Sequence, residues 1–285
     1  MKYIASMMTS YFLCSVVFVN SLIGDEWVKK TSIPETRACH VASAVNNKIY
    51  IMGGTRSFPQ PLATVEEYDP TTDKWTKRAD MPTPRLYLSA SAVDGKIYAI
   101  GGTQSFPQPL SSVEEYDPAT DKWSKKADLP VPIGLLSTSV VNGKIYAIGG
   151  WGGRDSFSTV YEYNPAKDEW TRKADMPTPR FLLGTSVVNG MIYAIGGGQN
   201  EVQTLSTVEE YDPISDKWST KTDMPTSRFT YAVAVNGKIY AIGGSTAEAL
   251  PLATVEEYDP ATDKWTKKAD MLVPSDVTAI CAVNG

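Results

Sequence analysis

The chain has 285 residues, of which 42% are hydrophobic and 21% are charged, and its formal net charge is −5. This composition is normal for a soluble globular protein with a packed core. The negative charge argues against nucleic acid as a partner, because binding to phosphates requires clustered lysines and arginines.

The first 24 residues differ from the rest of the chain. Lys2 precedes an apolar run at residues 11–19, and the small residues Ser21 and Gly24 follow it. A basic start, an apolar centre and small residues at the end are typical of a secretory signal peptide. We therefore expect residues 1–24 to be a signal peptide cleaved near residue 21 or 24, and the protein to be secreted or periplasmic.

A retained membrane anchor is the alternative interpretation of this segment. Five polar residues dilute the apolar run and weaken it as a membrane span. They are Ser6, Thr9, Ser10, Ser15 and Asn20. We expect no membrane span after the signal is removed.

A repeat of 47 or 48 residues dominates the remaining sequence. In each copy two glycines occur together, a tyrosine follows the second glycine after 13 or 14 positions, and a tryptophan follows that tyrosine by seven. The glycine pairs begin at Gly53, Gly101, Gly149, Gly196 and Gly243, and the tyrosines are Tyr68, Tyr116, Tyr163, Tyr211 and Tyr258. The tryptophans are Trp75, Trp123, Trp170, Trp218 and Trp265, with Trp27 before the first copy.

Each copy predicts four short strands, which we name a to d and which are typified by SASAVDG, KIYAIGG, TVEEYDP and DKWTKKAD. The continuous apolar run of strand b indicates burial on both faces. Asn-Gly or Asp-Gly links strands a and b, except at Asn46–Asn47, and these residues accept the positive φ of a tight hairpin. The repeat is therefore an antiparallel meander. Such a sheet cannot bury its own faces, so the copies are expected to stack around an axis as a propeller.

The order of a hydrophobic residue, two glycines, a tyrosine and a tryptophan resembles the kelch repeat. The resemblance covers essentially the whole chain after Gly24. It implies an all-β, kelch-type β-propeller in which the first and last pieces of chain share one blade. The domain is then residues 25–285.

Five complete copies run from about Arg37 to Asp270, preceded by a lone strand d with Trp27 and followed by a lone strand a, VTAICAV. We predict five complete four-stranded blades plus an incomplete sixth, with strand d from the N-terminus and strand a from the C-terminus. A shortened gene product that lacks the last strands of blade six is the expected cause, and its unpaired edge predicts low stability. A five-bladed ring with two leftover strands is the alternative.

The links between strands define two faces of the propeller. The a–b and c–d turns lie on one face, the turn face, and are nearly uniform, whereas the b–c loops and d–a crossovers on the other, the loop face, vary between copies. Variable loops on a rigid scaffold are where binding residues usually lie.

Peptide-binding kelch domains contact their partner at two positions of the repeat, just after the glycine pair and at the start of strand a. The resemblance implies that a partner of this chain would contact the same two positions. The candidate binding residues at these positions are Arg56, Leu86, Tyr87, Trp151, Arg154, Phe181, Phe229 and Asp276. Leu and Phe stand where such domains often carry Arg and Ser, which disfavours an acidic peptide. Trp151, Phe181 and Phe229 either form an aromatic contact surface or pack the crossovers against the next blade.

Catalytic chemistry finds little support in the sequence. His40 is the single histidine, so neither a His-based triad nor a multi-His metal site is possible. The paired glutamates and the arginines of the crossovers recur in equivalent places of four repeats and are interpreted as structural, the glutamates as solvated or inter-blade pairs and the arginines as donors to crossover carbonyls. Cys39 and Cys281 lie too far apart along equivalent strands for a disulfide, so two thiols are expected. We predict no catalytic residues, no metal and no cofactor.

The sequence therefore predicts an exported, non-catalytic kelch scaffold that binds a protein or peptide ligand, or a carbohydrate, through its loop face. The alternative is an enzyme. Bacterial periplasmic sialic-acid mutarotases are similar in being exported six-bladed kelch proteins, although their catalytic Arg and Glu match no particular positions here.

Overall fold

The computed structural model describes residues 17–18, 27–200, 203–275 and 279–283. Within these ranges it contains five four-stranded antiparallel sheets, each with its strands in the order a–b–c–d. Strand a of each blade contacts strand a of the next, which sets the sheets around a common axis. The predicted all-β propeller is thus confirmed. In the described part of the chain no helix is long and apolar enough to cross a membrane.

The blades follow one another in chain order. Blade 1 comprises Val41–Val45, Lys48–Met52, Val65–Asp69 and Lys74–Arg78. Blade 2 comprises Ser89–Val93, Lys96–Ile100, Val113–Asp117 and Lys122–Lys126. Blade 3 comprises Ser137–Val141, Lys144–Ile148, Val160–Asn164 and Glu169–Lys173. Blade 4 comprises Gly184–Val188, Met191–Ile195, Val208–Asp212 and Lys217–Lys221. Blade 5 comprises Phe229–Val235, Lys238–Ser245, Val255–Asp259 and Lys264–Lys267.

Short two-stranded sheets accompany the blades. Three of them lie in b–c loops and pair Thr55–Ser57 with Gln60–Pro61, Thr103–Ser105 with Gln108–Pro109, and Gly198–Gln199 with Gln203–Thr204. Another pairs Val17–Phe18 with Val28–Lys29. Apart from residues 17–18, the segment predicted as a signal peptide lies outside the described residues, and its processing stays a prediction.

The a–b links form the tight hairpins that their residues predict. Asn46 and Asn47 have φ of 50° and 59°, and Asp94–Gly95 takes the same left-handed conformation. Asparagine, aspartate and glycine tolerate this conformation best, which is why they recur here. Gly101, in the second glycine pair, cannot carry a side chain, because a Cβ there would lie 2.3 Å from the Ile133 carbonyl oxygen.

A hydrogen-bonded clamp joins each blade to the one before it. In blade 2 the Tyr116 hydroxyl donates to Asp121 Oδ1 at 2.6 Å, and the same oxygen accepts the Ala79 N–H of blade 1 at 2.9 Å. Trp123 Nε1 donates to the Ala79 carbonyl oxygen at 2.9 Å. Tyrosine, aspartate and tryptophan of one blade therefore satisfy both backbone groups of one residue in its neighbour. The bond from Tyr116 and the bond from Ala79 lower the pKa of Asp121.

The clamp recurs around the ring and locates the ends of the described chain. The clamped residues in the other blades are Thr31, Ala127, Ala174 and Thr222, held by Trp75, Trp170, Trp218 and Trp265. Trp27 Nε1 donates to the carbonyl oxygen of Ala269, which follows blade 5, at 3.2 Å. Because Trp75 of blade 1 in turn binds Thr31, the N-terminal strand lies between blades 5 and 1. This place agrees with a sixth position in the ring, although the sixth blade stays a prediction because no four-stranded sheet forms there within the described residues.

Buried arginine–glutamate pairs lie inside four of the described blades. The Arg85 guanidinium donates to the carbonyl oxygens of Gly101 and Ser112, both at 2.9 Å, and lies 2.9 Å from Glu114. The equivalent pairs are Arg37–Glu66, Arg180–Glu209 and Arg228–Glu256. The arginine does bind backbone carbonyls, but the two nearest acceptors lie after strand b and in the b–c loop rather than in the crossover, whose Thr83 carbonyl oxygen is 3.4 Å away. The glutamates, by contrast, are buried rather than solvated, because the crossover covers them.

Blade 3 replaces the whole pair at once. Ile133 stands in the place of Arg85, and Tyr161 in the place of Glu114. Val131 stands in the place of Thr83, whose hydroxyl donates to Glu114 at 2.5 Å. Ile133 and Tyr161 belong to one hydrophobic cluster. Blade 3 thus has three uncharged side chains in place of a bonded set of three polar ones. Replacing only one partner of the ion pair would leave a buried charge without its counter-charge, which is costly.

This linkage can be tested in blade 3. Ile133→Arg alone places an unpaired guanidinium in the core, and we expect it to lower the free energy of unfolding by about 3–5 kcal/mol. The triple variant Val131→Thr, Ile133→Arg and Tyr161→Glu rebuilds the pair and should recover at least half of that loss. Urea denaturation of the three proteins measures both values. A triple variant as unstable as the single variant would show that the three positions are not coupled.

Candidate functional site

The strand-a segments enclose a channel along the propeller axis. Its volume is about 120 Å³. Six stretches of chain line it: 39–42, 87–90, 135–138, 182–185, 231–232 and 279–280. The last stretch fills the place between blades 5 and 1, so the channel is lined by chain on every side.

A series of backbone hydrogen bonds follows the rim of the channel on the loop face from blade 1 to blade 5. The N–H of Tyr87 donates to the Cys39 carbonyl oxygen at 2.9 Å, and the N–H of Leu135 donates to that of Tyr87 at 3.0 Å. Leu182 continues the series to Leu135 at 3.0 Å, and Thr230 to Leu182 at 3.3 Å. These five residues, which we call the collar, link successive blades directly at the mouth of the channel.

The collar holds an unfavourable backbone conformation. Cys39, Tyr87, Leu135 and Leu182 have φ of 57°, 55°, 57° and 50°. Non-glycine residues adopt this conformation rarely, at a cost on the order of 1 kcal/mol each. The same conformation recurs at one repeat position because the collar's hydrogen bonds impose it. These bonds thus hold neighbouring blades together from blade 1 to blade 5 at the mouth of the channel.

A belt of hydroxyl groups crosses one side of the channel wall from blade 2 to blade 4. Thr138 Oγ1 lies 2.8 Å from Ser89 Oγ and 2.7 Å from Ser91 Oγ. Thr185 Oγ1 lies 2.8 Å from Ser137 Oγ and accepts a bond from Ser139 Oγ at 2.9 Å. These six side chains form the hydroxyl belt. The facing wall is largely apolar, with Val41, Ala42, Ala232, Ala279 and Ile280, and it also carries His40 and Tyr231.

The channel carries no formal charge in its described lining, which contains no Lys, Arg, Asp or Glu. His40 lines the channel and is buried. Burial and, secondarily, the charge of Arg37 lower the pKa of His40 to about 3, so its imidazole is neutral at physiological pH. Its expected place in the core or channel lining is confirmed. Among the described residues no group of His, Cys, Asp and Glu could hold a metal ion.

The residues predicted to bind a partner fall into different environments. Arg56 and Arg154 are exposed in b–c loops, and Tyr87 is half-buried in the collar. Four others are buried, with exposed fractions between 0% and 4%: Leu86, Trp151, Phe181 and Phe229. Asp276 lies outside the described residues. Binding by these residues stays a prediction.

The aromatic side chains do not form the exposed surface that was one of the two expectations. Trp151 stacks on Phe106 with ring centroids 5.3 Å apart and planes 5° apart, and Phe181 packs on Phe229 at 5.7 Å. Leu135 of the collar belongs to the same cluster. These rings pack loops and crossovers of neighbouring blades together, as the other interpretation held. Contacts with a neighbouring blade bury these side chains, and a single repeat does not reveal those contacts.

Neither the collar nor the hydroxyl belt was identified from the sequence. Small hydroxyl residues at the same strand-a place in consecutive repeats, Ser91, Ser139 and Ser186, were the available signal. Such residues are equally common at ordinary half-buried positions. The two expected thiols are present at Cys39 and Cys281.

The neutral His40 makes stability depend on pH. Its pKa is about 6.5 when unfolded and about 3 when folded, so its stabilising contribution is complete above pH 6.5 and decreases as the pH falls toward 3. His40→Leu, the residue found at the equivalent Leu88, should therefore reduce the loss of stability between pH 7 and about pH 4.5. Urea denaturation at the two pH values measures this, with the exposed substitution Thr220→Val as control. Equal losses in wild type and His40→Leu would contradict the assignment.

Comparison with known proteins agrees with this architecture. The family model described as Attractin/LZTR1 beta-propeller matches residues 15–250, and the model described as Kelch motif matches residues 232–272. No curated protein matches the chain. Among 737 matching chains of solved structures, the one titled "Structure of YjhT" aligns with a TM-score of 0.75 at 18% identity, covering 86% of this chain and 87% of that one. This likeness concerns the fold. The chain is a kelch-repeat β-propeller and belongs to the Attractin/LZTR1 beta-propeller family.

Proposed function

We propose that the protein is a non-catalytic scaffold that binds a protein or peptide through its loop face. Kelch propellers generally bind proteins, and this chain matches their motif. The observation that carries the proposal is a row of aromatic side chains on the b–c loops of blades 1 to 3. It consists of Phe58, Phe106 and Trp151, and we call it the aromatic row.

The aromatic row joins three blades. Phe58 and Phe106 lie 5.8 Å apart with their planes at 65°, and Phe106 stacks on Trp151. Trp151 is buried, whereas Phe58 and Phe106 are only half-buried. A partner can therefore contact the two phenylalanines while the tryptophan supports them from within. Aromatic side chains on rigid supports are typical anchors of protein interfaces.

Two exposed arginines accompany the row. Arg56 lies on the blade 1 hairpin and pairs with the Glu35 carboxylate, and Arg154 lies on the blade 3 loop. The ion pair partly offsets the charge of Arg56, so a strongly acidic peptide has no concentrated positive surface to bind. We infer a partner segment with apolar or aromatic residues that pack on Phe58 and Phe106, and with polar groups that reach the flanking arginines.

Peptide selection against the intact protein tests this proposal. We expect peptides rich in apolar residues to be enriched from a random display library. Their affinity, measured by calorimetry, should fall about tenfold in Arg56→Ala and in Arg154→Ala. Lys122→Ala and Lys217→Ala on the turn face serve as matched controls. Trp151→Ala is unsuitable because removing a buried indole should cost about 3–5 kcal/mol of stability.

Two results would contradict the proposal. The first is selection of peptides whose binding depends on the turn-face lysines rather than on the loop-face arginines. The second is accelerated anomer exchange of reducing sugars, sialic acid included, followed by optical rotation. That activity would show an enzyme of the mutarotase type.

We also propose that the protein is exported, on the basis of the signal-like composition of residues 1–24. A cleaved signal requires the protein recovered from secreting cells to start near residue 22 or 25. N-terminal sequencing of that protein measures the start. Recovery of an intact Met1 from the membrane fraction would instead support the retained anchor.

A further inference from the structure

We propose that the axial channel is a second binding site, separate from the loop-face surface, for a small neutral polyol no larger than a monosaccharide. The ligand class is inferred from the size of the channel, the direction of its hydrogen bonds, its apolar wall and its lack of charge.

Size comes first. A channel of about 120 Å³ could hold on the order of ten water molecules. This is too small for a folded segment of a protein and suits a compact molecule of up to about a dozen non-hydrogen atoms.

Each hydroxyl has one proton, and the acceptor to which it donates that proton decides which hydrogen bonds the belt can make to a ligand. Thr185 Oγ1 donates its single proton to the Thr138 carbonyl oxygen at 3.3 Å. Ser137 and Ser139 must then both donate to Thr185 Oγ1, which lies 2.8 Å and 2.9 Å from them. A hydroxyl has one donor and two acceptor sites. Ser137, which lines the channel, is left with lone pairs, so it can accept a hydrogen bond from an O–H group of a ligand.

The opposite wall accepts the carbon skeleton of such a ligand. Val41, Ala232 and Ile280 face the belt across the channel, and the Tyr87 and Tyr231 side chains also line it. A polyol or sugar presents hydroxyls at its edge and C–H groups on its faces. It can therefore satisfy the belt while its C–H groups pack on the apolar wall, as ligand sites commonly combine a few polar groups with apolar lining.

The same lining disfavours a charged ligand. The described lining contains no Lys or Arg, and His40 is neutral. A carboxylate entering the channel would lose its water without gaining a cationic partner, which is costly. Neutral polyols are therefore expected to bind, whereas carboxylated sugars are not.

Saturation-transfer NMR and calorimetry with glycerol, myo-inositol, D-glucose and D-glucuronate, a carboxylated sugar close to D-glucose in size, test the assignment. At least one neutral compound should bind with a Kd at or below about 10 mM, and the carboxylated sugar should not. Ser137→Ala removes the acceptor and should weaken that binding about tenfold. The double variant Thr138→Val and Thr185→Val should weaken it further, with Thr220→Val on an exposed strand as matched control.

The outcomes separate this site from the loop-face proposal. Arg56→Ala should leave polyol binding unchanged, and Ser137→Ala should leave peptide binding unchanged. The channel proposal is overturned if no neutral compound binds, if Ser137→Ala binds as tightly as wild type with its melting temperature preserved, or if the carboxylated sugar binds best.

Discussion

The clamp between consecutive blades is the interaction on which the rest of the structure depends. One residue after each strand d has both backbone groups satisfied by the next blade, its N–H by an aspartate and its carbonyl by a tryptophan. A tyrosine hydroxyl orients that aspartate. Backbone groups at the end of a sheet would otherwise need water or another partner. By taking them up, each blade defines the position of its neighbour, and repetition of this one contact produces the ring.

The two faces of the propeller differ in how closely the repeat specifies their residues. On the turn face, tyrosine, aspartate and tryptophan must recur in every blade, and the turns are accordingly uniform. On the loop face the blades are joined by backbone groups, as in the collar, where side chains are not specified by the bonds. The b–c loops can therefore vary in length and residue without loosening the ring. The aromatic row and the exposed arginines lie on these variable loops.

Variation inside the blades follows a stricter rule. The buried Arg85–Glu114 pair and the threonine that supports it form one set, and blade 3 replaces the set as a whole with Val131, Ile133 and Tyr161. A channel without charge fits the same logic. The buried arginines of blades 1, 2, 4 and 5 pair with glutamates and also bind backbone carbonyls, whereas the channel wall offers hydroxyl groups bonded to one another.

The sequence by itself determined the blade. Glycine pairs, Asn-Gly turns and the Tyr–Trp spacing recur often enough to define four strands, their order and the propeller, because these features depend on local backbone conformation and on a fixed repeat. It also located the variable face, since differences between copies are visible in one chain. The tertiary structure alone decided which side chains are exposed. Trp151 is buried by Phe106 of the preceding blade, and Ser91 meets Thr138 although 47 positions separate them. Burial and hydroxyl bonding of this kind arise between blades, where contacts depend on the rotation of one sheet against the next, and no pattern within a single repeat records that rotation.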